Sequence, residues 1–226
     1  MTALPLSRLV GRRRARHASG PARLRVPSRT PASIAFLTAS AVIWWTMRGL
    51  DPVTRQRLIL SASTNLHNMR RDPGRVLVIS AFWSGSRQVP WTNLLGFCLI
   101  AIPAERMLGT RRWLTAFAIG HIGATLITVS GISWAIHHDV LPDHTARAVD
   151  VGASYGLAGV AAALTWVLPD RRLQVAWAAA LIAVVALALV TDPSFTNYGH
   201  LSAILLGFVL RPLYRRPAVE VGPADP

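Results

Sequence analysis

Six apolar segments alternate with polar connectors along most of the chain, and this pattern predicts six membrane-spanning helices. A helix needs about 20 residues to cross the hydrocarbon core of a bilayer, and most of the segments approach that length. The sequence therefore predicts an all-α membrane protein built as a six-helix bundle. The predicted spans are residues 31–50, 91–109, 113–136, 150–168, 172–190 and 198–213.

The polar segments divide the chain into three parts. Residues 1–30 are rich in arginine, proline and alanine and have no apolar period, which is typical of a disordered tail. Residues 31–213 hold the six spans, and residues 214–226 form a second polar tail. Within the six-span domain, residues 51–90 mix polar and apolar groups with several breakers, which predicts a loop lying on or partly in the membrane.

The distribution of charge predicts the orientation. The formal net charge is +14, no lysine is present, eight arginines lie in the first 30 residues, and the first acidic residue is Asp51. Six spans place both termini on one side, and the positive-inside rule makes that side the cytoplasm. The arginines of residues 51–90 run against this rule, but the other loops outnumber them. We expect an integral protein of a bacterial plasma membrane with both termini cytoplasmic.

Composition also limits the kinds of partner and cofactor that the protein is expected to bind. The basic tail leads into an apolar span, which favours contact with the anionic lipid bilayer over nucleic acid. The single cysteine, Cys98, excludes an intramolecular disulfide and a zinc-type cysteine cluster, and its apolar surroundings predict a packing role. His137, His138 and His144 lack metal-site spacing and are expected in a solvated loop. No metal or other cofactor is predicted.

Two side chains are candidates for chemistry. Ser154 lies in a run rich in glycine and alanine, so small residues occupy nearly every face of the predicted helix. This pattern predicts a central helix that is closely packed on every side. His200 shares a face of the sixth span with Ala203 and Gly207, and a histidine within a membrane is costly unless it faces a partner or water. Both lie toward the external ends of their spans, so they form a candidate nucleophile and base. The alternative is that Ser154 belongs to a packing helix only.

Short motifs in the second, fourth and sixth spans resemble the rhomboid family of intramembrane serine proteases, and an actinobacterial rhomboid-like branch in particular. The resemblance covers about residues 31–213 and includes the loop of residues 51–90. The matching residues are Gly152-Ala-Ser154, His200 with Ala203 and Gly207, Asn93 with Glu105 and Gly109, and Arg75 with Phe82 in the loop.

This resemblance implies a set of roles and partners. Ser154 would be the nucleophile, and His200 the general base and then the general acid. Asn93 would donate a hydrogen bond to the oxyanion, and Glu105 would hold the loop without taking part in catalysis. The implied partners are transmembrane segments of membrane-protein substrates or clients.

The chain departs from the family pattern around the dyad. Tyr155 follows the serine where the family has glycine, and Ala158 stands where a tyrosine often packs on the histidine. Val89 and Trp83 replace histidines, and Gly199 replaces the alanine before His200. A catalytically inactive rhomboid-like protein that binds membrane clients is therefore the alternative function. A small transporter or structural bundle is a further rival, disfavoured because no inverted repeat is present.

One more histidine lies inside a predicted span. His121, in the third span, is expected to make an interhelical hydrogen bond.

Overall fold

The computed structural model of the chain describes residues 29–84 and 91–214, with the side chains of residues 91–93 outside the description. Residues 1–28 and 215–226, which make up most of the predicted tails of residues 1–30 and 214–226, lie outside these ranges. All regular secondary structure within the described ranges is helical. The α-helices are α1 Pro31–Arg48, α2 Pro52–Ala62, α3 Leu66–Arg71, α4 Pro73–Ile79, α5 Trp91–Gly96, α6 Ile102–Leu108, α7 Thr110–Ala118, α8 Ala124–His137, α9 Ser154–Leu164, α10 Arg171–Thr191, α11 Phe195–Val209 and α12 Arg211–Tyr214.

Each apolar segment predicted as a span contains one or two of these helices, which confirms the all-α fold class. Within the described residues, two continuous helices are long and apolar enough to cross a membrane, Thr110–His137 and Arg171–Thr191. The first of these contains α7 and α8, and the second is α10. The count of six spans stays a prediction.

Two of the long helices contain a π turn. Phe97–Ala101 joins α5 to α6, and Ile119–Gly123 joins α7 to α8. Hydrogen bonds in a π turn run from residue i to i+5, so each turn holds one residue more than an α turn. Such turns occur often at functional sites, and the second one carries His121.

Helix α9 is the centre of the bundle, as its small residues predict. All residues from Tyr155 to Leu164 except Ala158 are buried. Its largest interface is with α11, and α7 and the second π turn pack on another side. A Cβ at Gly120 would lie 2.9 Å from the Gly159 Cα, so the two backbones touch. By contrast, α10 buries only Val185 and lies at the edge of the bundle.

The helices of the fourth and sixth predicted spans are α9 and α11, and their ends differ from the predicted ends. Helix α9 begins at Ser154 rather than residue 150, because Gly152 adopts a φ of +128° that a helix does not tolerate. Helix α11 begins earlier than predicted, after the extended Ser194, and ends at Val209. The following short helix α12 carries Pro212 in its first turn.

Residues 51–84 are more regular than the predicted loop. They form the three short helices α2, α3 and α4 and a 3-10 turn at Ser80–Phe82. Each short helix has a polar N-cap whose side chain accepts backbone N–H groups, namely Asp51, Asn65 and Asp72. These caps stabilise helices that the apolar pattern is too weak to indicate.

One side chain attaches the predicted loop to α1, and another ties two helices within the loop together. The Phe82 ring stacks on the Phe36 ring of α1, with centroids 4.4 Å apart. Arg75 pairs with Asp72 (Nε to Oδ2, 3.1 Å) and donates to the Ser61 carbonyl at 3.2 Å, which ties α4 to the end of α2.

The predicted packing role of Cys98 was wrong, since its side chain is exposed on the surface of the first π turn.

Candidate active site

Ser154 is the first residue of α9. The first helical hydrogen bond at this end runs from the Leu157 N–H to the Ala153 carbonyl at 2.9 Å. The N–H groups of Ser154, Tyr155 and Gly156 therefore have no partner within the helix. Backbone N–H groups at a helix N-terminus favour negative charge, and these three belong to the turn that carries the candidate nucleophile.

The connector before Ser154 is fixed by its neighbours. The Gly152 N–H donates to the Ser80 carbonyl at 2.8 Å, and only glycine adopts the φ of +128° found there at low cost. This geometry gives the glycine of the Gly152-Ala-Ser154 motif a physical role. It lets the chain turn sharply into α9 while the connector stays bonded to the 3-10 turn at Ser80–Phe82.

A second set of hydrogen bonds joins the same connector to the end of α2. Thr64 donates from its N–H and its hydroxyl to the Asp150 carbonyl, both at 3.0 Å, and the hydroxyl also reaches Asp150 Oδ2 at 3.2 Å. The Asp150 N–H donates to Ser63 Oγ at 2.7 Å. Asp150 lies in the connector outside the helices, and burial raises the pKa of its carboxyl, an effect that the Thr64 bond opposes in part. Nothing in the sequence pattern singled out this acid.

His200 lies in the second turn of α11 and is half-buried. The Tyr155 ring packs edge-on against the His200 ring, with centroids 5.1 Å apart and an interplanar angle of 80°. Because Tyr155 directly follows Ser154, the serine and the histidine lie at the same end of the α9–α11 interface. Within the described residues, no hydrogen bond joins the Ser154 hydroxyl to the His200 ring.

The Tyr155 ring fits because Gly199 has no side chain. A Cβ on Gly199 would collide with the Tyr155 ring and hydroxyl, including Cε1 at 2.6 Å. Two departures from the family pattern thus explain each other, since the tyrosine after the serine requires the glycine before the histidine. Tyr155 also supplies an aromatic ring beside His200, which Ala158 cannot do. From the sequence alone, Tyr155 was only a departure from the family pattern.

The Tyr155 hydroxyl is buried and lacks a hydrogen-bond partner in the part of the chain that the structure describes. Asp150, Thr128 and Thr196 lie nearby, outside hydrogen-bonding geometry. Thr125 and Thr128 likewise bury hydroxyls without partners. A small group of polar atoms therefore lies behind the site, between α8, α9 and α11.

The remaining catalytic candidate is Asn93. Its backbone belongs to α5, and its side chain lies outside the description, so its predicted oxyanion role stays a prediction. Val89, which the sequence analysis also singled out, lies outside the described residues as well.

Glu105 has a different structural role from the predicted one. Its buried carboxylate accepts the Ala32 N–H at 3.0 Å, the Ser33 N–H at 2.8 Å and the Thr110 hydroxyl at 2.8 Å. The side chain therefore caps the first turn of α1 and holds the start of α7. None of these hydrogen-bond partners lies in the described part of the loop, residues 51–84, which follows the opposite end of α1.

His121 makes the interhelical contact that was predicted. Its Nε2 lies 3.1 Å from the Leu77 carbonyl and 3.2 Å from Ser80 Oγ. A carbonyl can only accept, so Nε2 carries the proton and cannot act as a base toward Ser80. The pair is a structural tie between the second π turn and α4. Across residues 29–84 and 91–214, no group of three or more metal-binding side chains is present.

Within the described residues, two long apolar helices and close contacts between helices at glycines are features typical of helical membrane proteins. A family model described as rhomboid-like protein matches residues 25–219, so the chain belongs to the rhomboid-like family. No curated protein and no solved structure matches the chain. The family resemblance drawn from the sequence is therefore confirmed, while the actinobacterial branch stays a prediction.

Proposed function

We propose that the protein is an intramembrane serine endopeptidase that uses Ser154 as nucleophile and His200 as general base. The contact between Tyr155 and His200 carries this proposal, because it ties the histidine to the residue that follows the serine. The unpaired N–H groups of the first turn of α9 add donors beside the nucleophile.

The proposed reaction follows the chemistry of a serine–histidine pair. His200 takes the hydroxyl proton as Ser154 Oγ attacks the scissile carbonyl, and the negative oxygen is stabilised by N–H donors and the Asn93 amide. His200 then gives the proton to the leaving amine, and the peptide bond breaks to leave an acyl-enzyme. Water attacks the acyl group with His200 again as base, which releases the acid and restores the serine.

The proposed substrates are transmembrane segments of other membrane proteins. A regular helix hides its carbonyls in hydrogen bonds, so such a substrate needs a locally unwound segment. In the proposed topology, six spans place both termini in the cytoplasm and the dyad toward the external face of a bacterial plasma membrane. The helices of residues 51–84 then lie on or in the outer part of the bilayer, above the connector before Ser154.

A fluorophosphonate probe tests this proposal, since it reacts with activated serines. We expect purified wild type to be labelled, and Ser154→Ala and His200→Ala to lose labelling while keeping their thermal unfolding. Ser202→Ala is a matched control, because Ser202 lies on α11 and its hydroxyl donates to the Tyr198 carbonyl at 2.9 Å. Absence of labelling in wild type, together with no cleavage of a model transmembrane substrate, would refute the protease.

A second candidate function is a catalytically inactive rhomboid-like protein that binds membrane clients. The lack of a Ser154–His200 hydrogen bond within the described residues favours it. This function predicts that wild type, Ser154→Ala and His200→Ala retain the same amount of a photo-crosslinkable transmembrane peptide and leave it uncleaved. Loss of the peptide band in wild type alone would contradict it.

A further inference from the structure

A small polar cleft lies between the end of α1 and the start of α2. Its volume is about 240 Å³, and it is lined by Trp44, Met47, Arg48 and Arg55. Arg48 is the last residue of α1 and Arg55 belongs to the first turn of α2. The short turn between the two helices brings these arginines to one cleft.

Aromatic rings hold one of the two guanidinium groups in place. The Arg48 Cζ lies 5.1 Å from the Trp44 ring centroid and 5.0 Å from the Trp45 ring centroid. Both distances are within the range of cation–π attraction. Met47 is buried beneath, and Arg55 is half-buried. The cleft therefore presents positive charge on side chains that have lost part of their freedom.

Among the described residues, Asp51 is an acid that lies between the two arginines in the sequence. The Asp51 carboxylate accepts the N–H groups of Val53 and Thr54, each at 3.0 Å, and so caps the start of α2. Its charge is directed at the helix N-terminus, where it is stabilised. Among the described residues, the lining of the cleft therefore carries two guanidinium groups, and the carboxylate next to it in sequence is engaged by the start of α2.

The position of the cleft along α1 suggests the type of ligand. Trp44 and Trp45 are adjacent near one end of an apolar helix, and Trp45 is 68% exposed. Tryptophan is enriched at the membrane–water interface, at the depth of the lipid headgroups. A phosphate group of a lipid would lie at the same depth as the two arginines.

We propose that this cleft binds the phosphodiester headgroup of an anionic phospholipid, with Arg48 and Arg55 as its ligands. The planar guanidinium group matches two phosphate oxygens at once, which favours it over a point charge at such a site. The apolar surface of α1 beside the cleft is available to the acyl chains. The proposal does not depend on Ser154 or on protease activity.

Native mass spectrometry of the full chain in detergent tests the proposal, with phosphatidylglycerol as the added lipid. We expect Arg48→Gln and Arg55→Gln each to weaken phosphatidylglycerol binding about tenfold or more, the size expected for a charged hydrogen bond. Arg57→Gln is the matched control, since Arg57 is exposed on the same short helix α2 but does not line the cleft. Arg48→Lys keeps the charge and should restore binding only in part.

Two outcomes would overturn the proposal. One is that Arg48→Gln and Arg55→Gln, with unchanged thermal unfolding, weaken phosphatidylglycerol binding no more than Arg57→Gln does. The other outcome concerns the source of the phosphate group. Glycerol 3-phosphate tests whether this source is a lipid or a soluble compound. Competition by this soluble compound at the lipid's own concentration would assign the cleft to free phosphate compounds, whereas failure to compete supports a membrane lipid.

Discussion

At the scale of single residues, Tyr155 and Gly199 form a pair whose members depend on each other. The tyrosine ring lies against the bare backbone of Gly199 and against the His200 ring. Neither residue matches the family pattern, yet the two departures together keep an aromatic ring beside the histidine. The pair is therefore a different solution to the problem of holding His200 against α9.

A double-mutant cycle measures this dependence. Gly199→Ala should destabilise the protein by about 1–3 kcal/mol, because the added methyl group overlaps the Tyr155 ring. Tyr155→Ala should cost about 3–5 kcal/mol through the cavity that it leaves. In the double variant the methyl group finds space, so we expect the combined cost to fall below the sum by about 1–3 kcal/mol. Additive costs in thermal unfolding would show that the two residues do not interact.

The Tyr155 hydroxyl supports a separate prediction. It is buried without a hydrogen-bond partner in the described chain, so its removal should cost nothing. We expect Tyr155→Phe to match wild type or to gain up to about 1–3 kcal/mol, the usual penalty of an unpaired buried group. Because the ring beside His200 is kept, fluorophosphonate labelling should be unchanged. A loss of stability would reveal a hydrogen bond to this hydroxyl.

The sequence could predict the identity of these residues but not their contacts. Ser154 and His200 stand out because a hydroxyl and an imidazole are unusual among small apolar neighbours. The role of Tyr155 depends on which residue of α11 lies opposite, and that follows from the packing of two helices. Glu105 was predicted to be structural, but its partners on α1 lie more than seventy positions away.

At the scale of elements, the close approach of α9 to its neighbours organises the bundle. The second π turn and α9 touch at Gly120 and Gly159, and α11 approaches α9 at Gly207. Interfaces between membrane helices are stabilised by close packing rather than by the hydrophobic effect, so small residues at these contacts are essential.

Two glycines of the third predicted span provide a matched test. A Cβ on Gly120 would lie 2.9 Å from both the Gly159 Cα and the Tyr155 carbonyl oxygen, whereas a Cβ on Gly131 would meet nothing within 4 Å. We expect Gly120→Ala to destabilise the protein by about 1–3 kcal/mol. Gly131→Ala should stabilise it by about 0.5–1 kcal/mol, because alanine favours the helix interior. Equal effects on thermal unfolding in detergent would exclude the proposed contact.

The elements were predictable where apolar residues run long enough. All six apolar segments form helices, and the centre of the bundle is the helix with the smallest residues. The short helices of residues 52–79 were missed because their stability depends on polar caps and on contacts with other helices. The start of α9 was missed because it depends on the bond between Gly152 and Ser80.

At the scale of the whole molecule, the segment of residues 51–84 and the connector before Ser154 are tied at two places. Ser63 and Thr64 bind Asp150, and Ser80 binds Gly152. His121 extends the second tie to the third predicted span through Ser80. The outer segment and the site are therefore one connected structure.

The Asp150 carboxyl makes stability depend on pH. Burial raises its pKa in the folded protein above the unfolded value, so ionisation disfavours the folded state. This penalty is absent below the ordinary pKa of an aspartate, grows as the pH rises from that value to the raised one, and is constant above it. Asp150→Asn does not titrate and can still accept the Thr64 bond. We expect the unfolding temperature of Asp150→Asn to rise relative to that of wild type as the pH rises from 4 to 8. A difference between the two unfolding temperatures that stays constant over this pH range would contradict this role.

The π turns have a consequence for comparing this chain with its relatives. Each turn contains one residue more than an α turn, so the side chains that follow it are rotated about the helix axis. A relative without the extra residue needs a one-residue gap inside the helix to align correctly, not in the loop where gaps are normally placed. An alignment that keeps these helices ungapped would assign the position of His121 to the wrong residue.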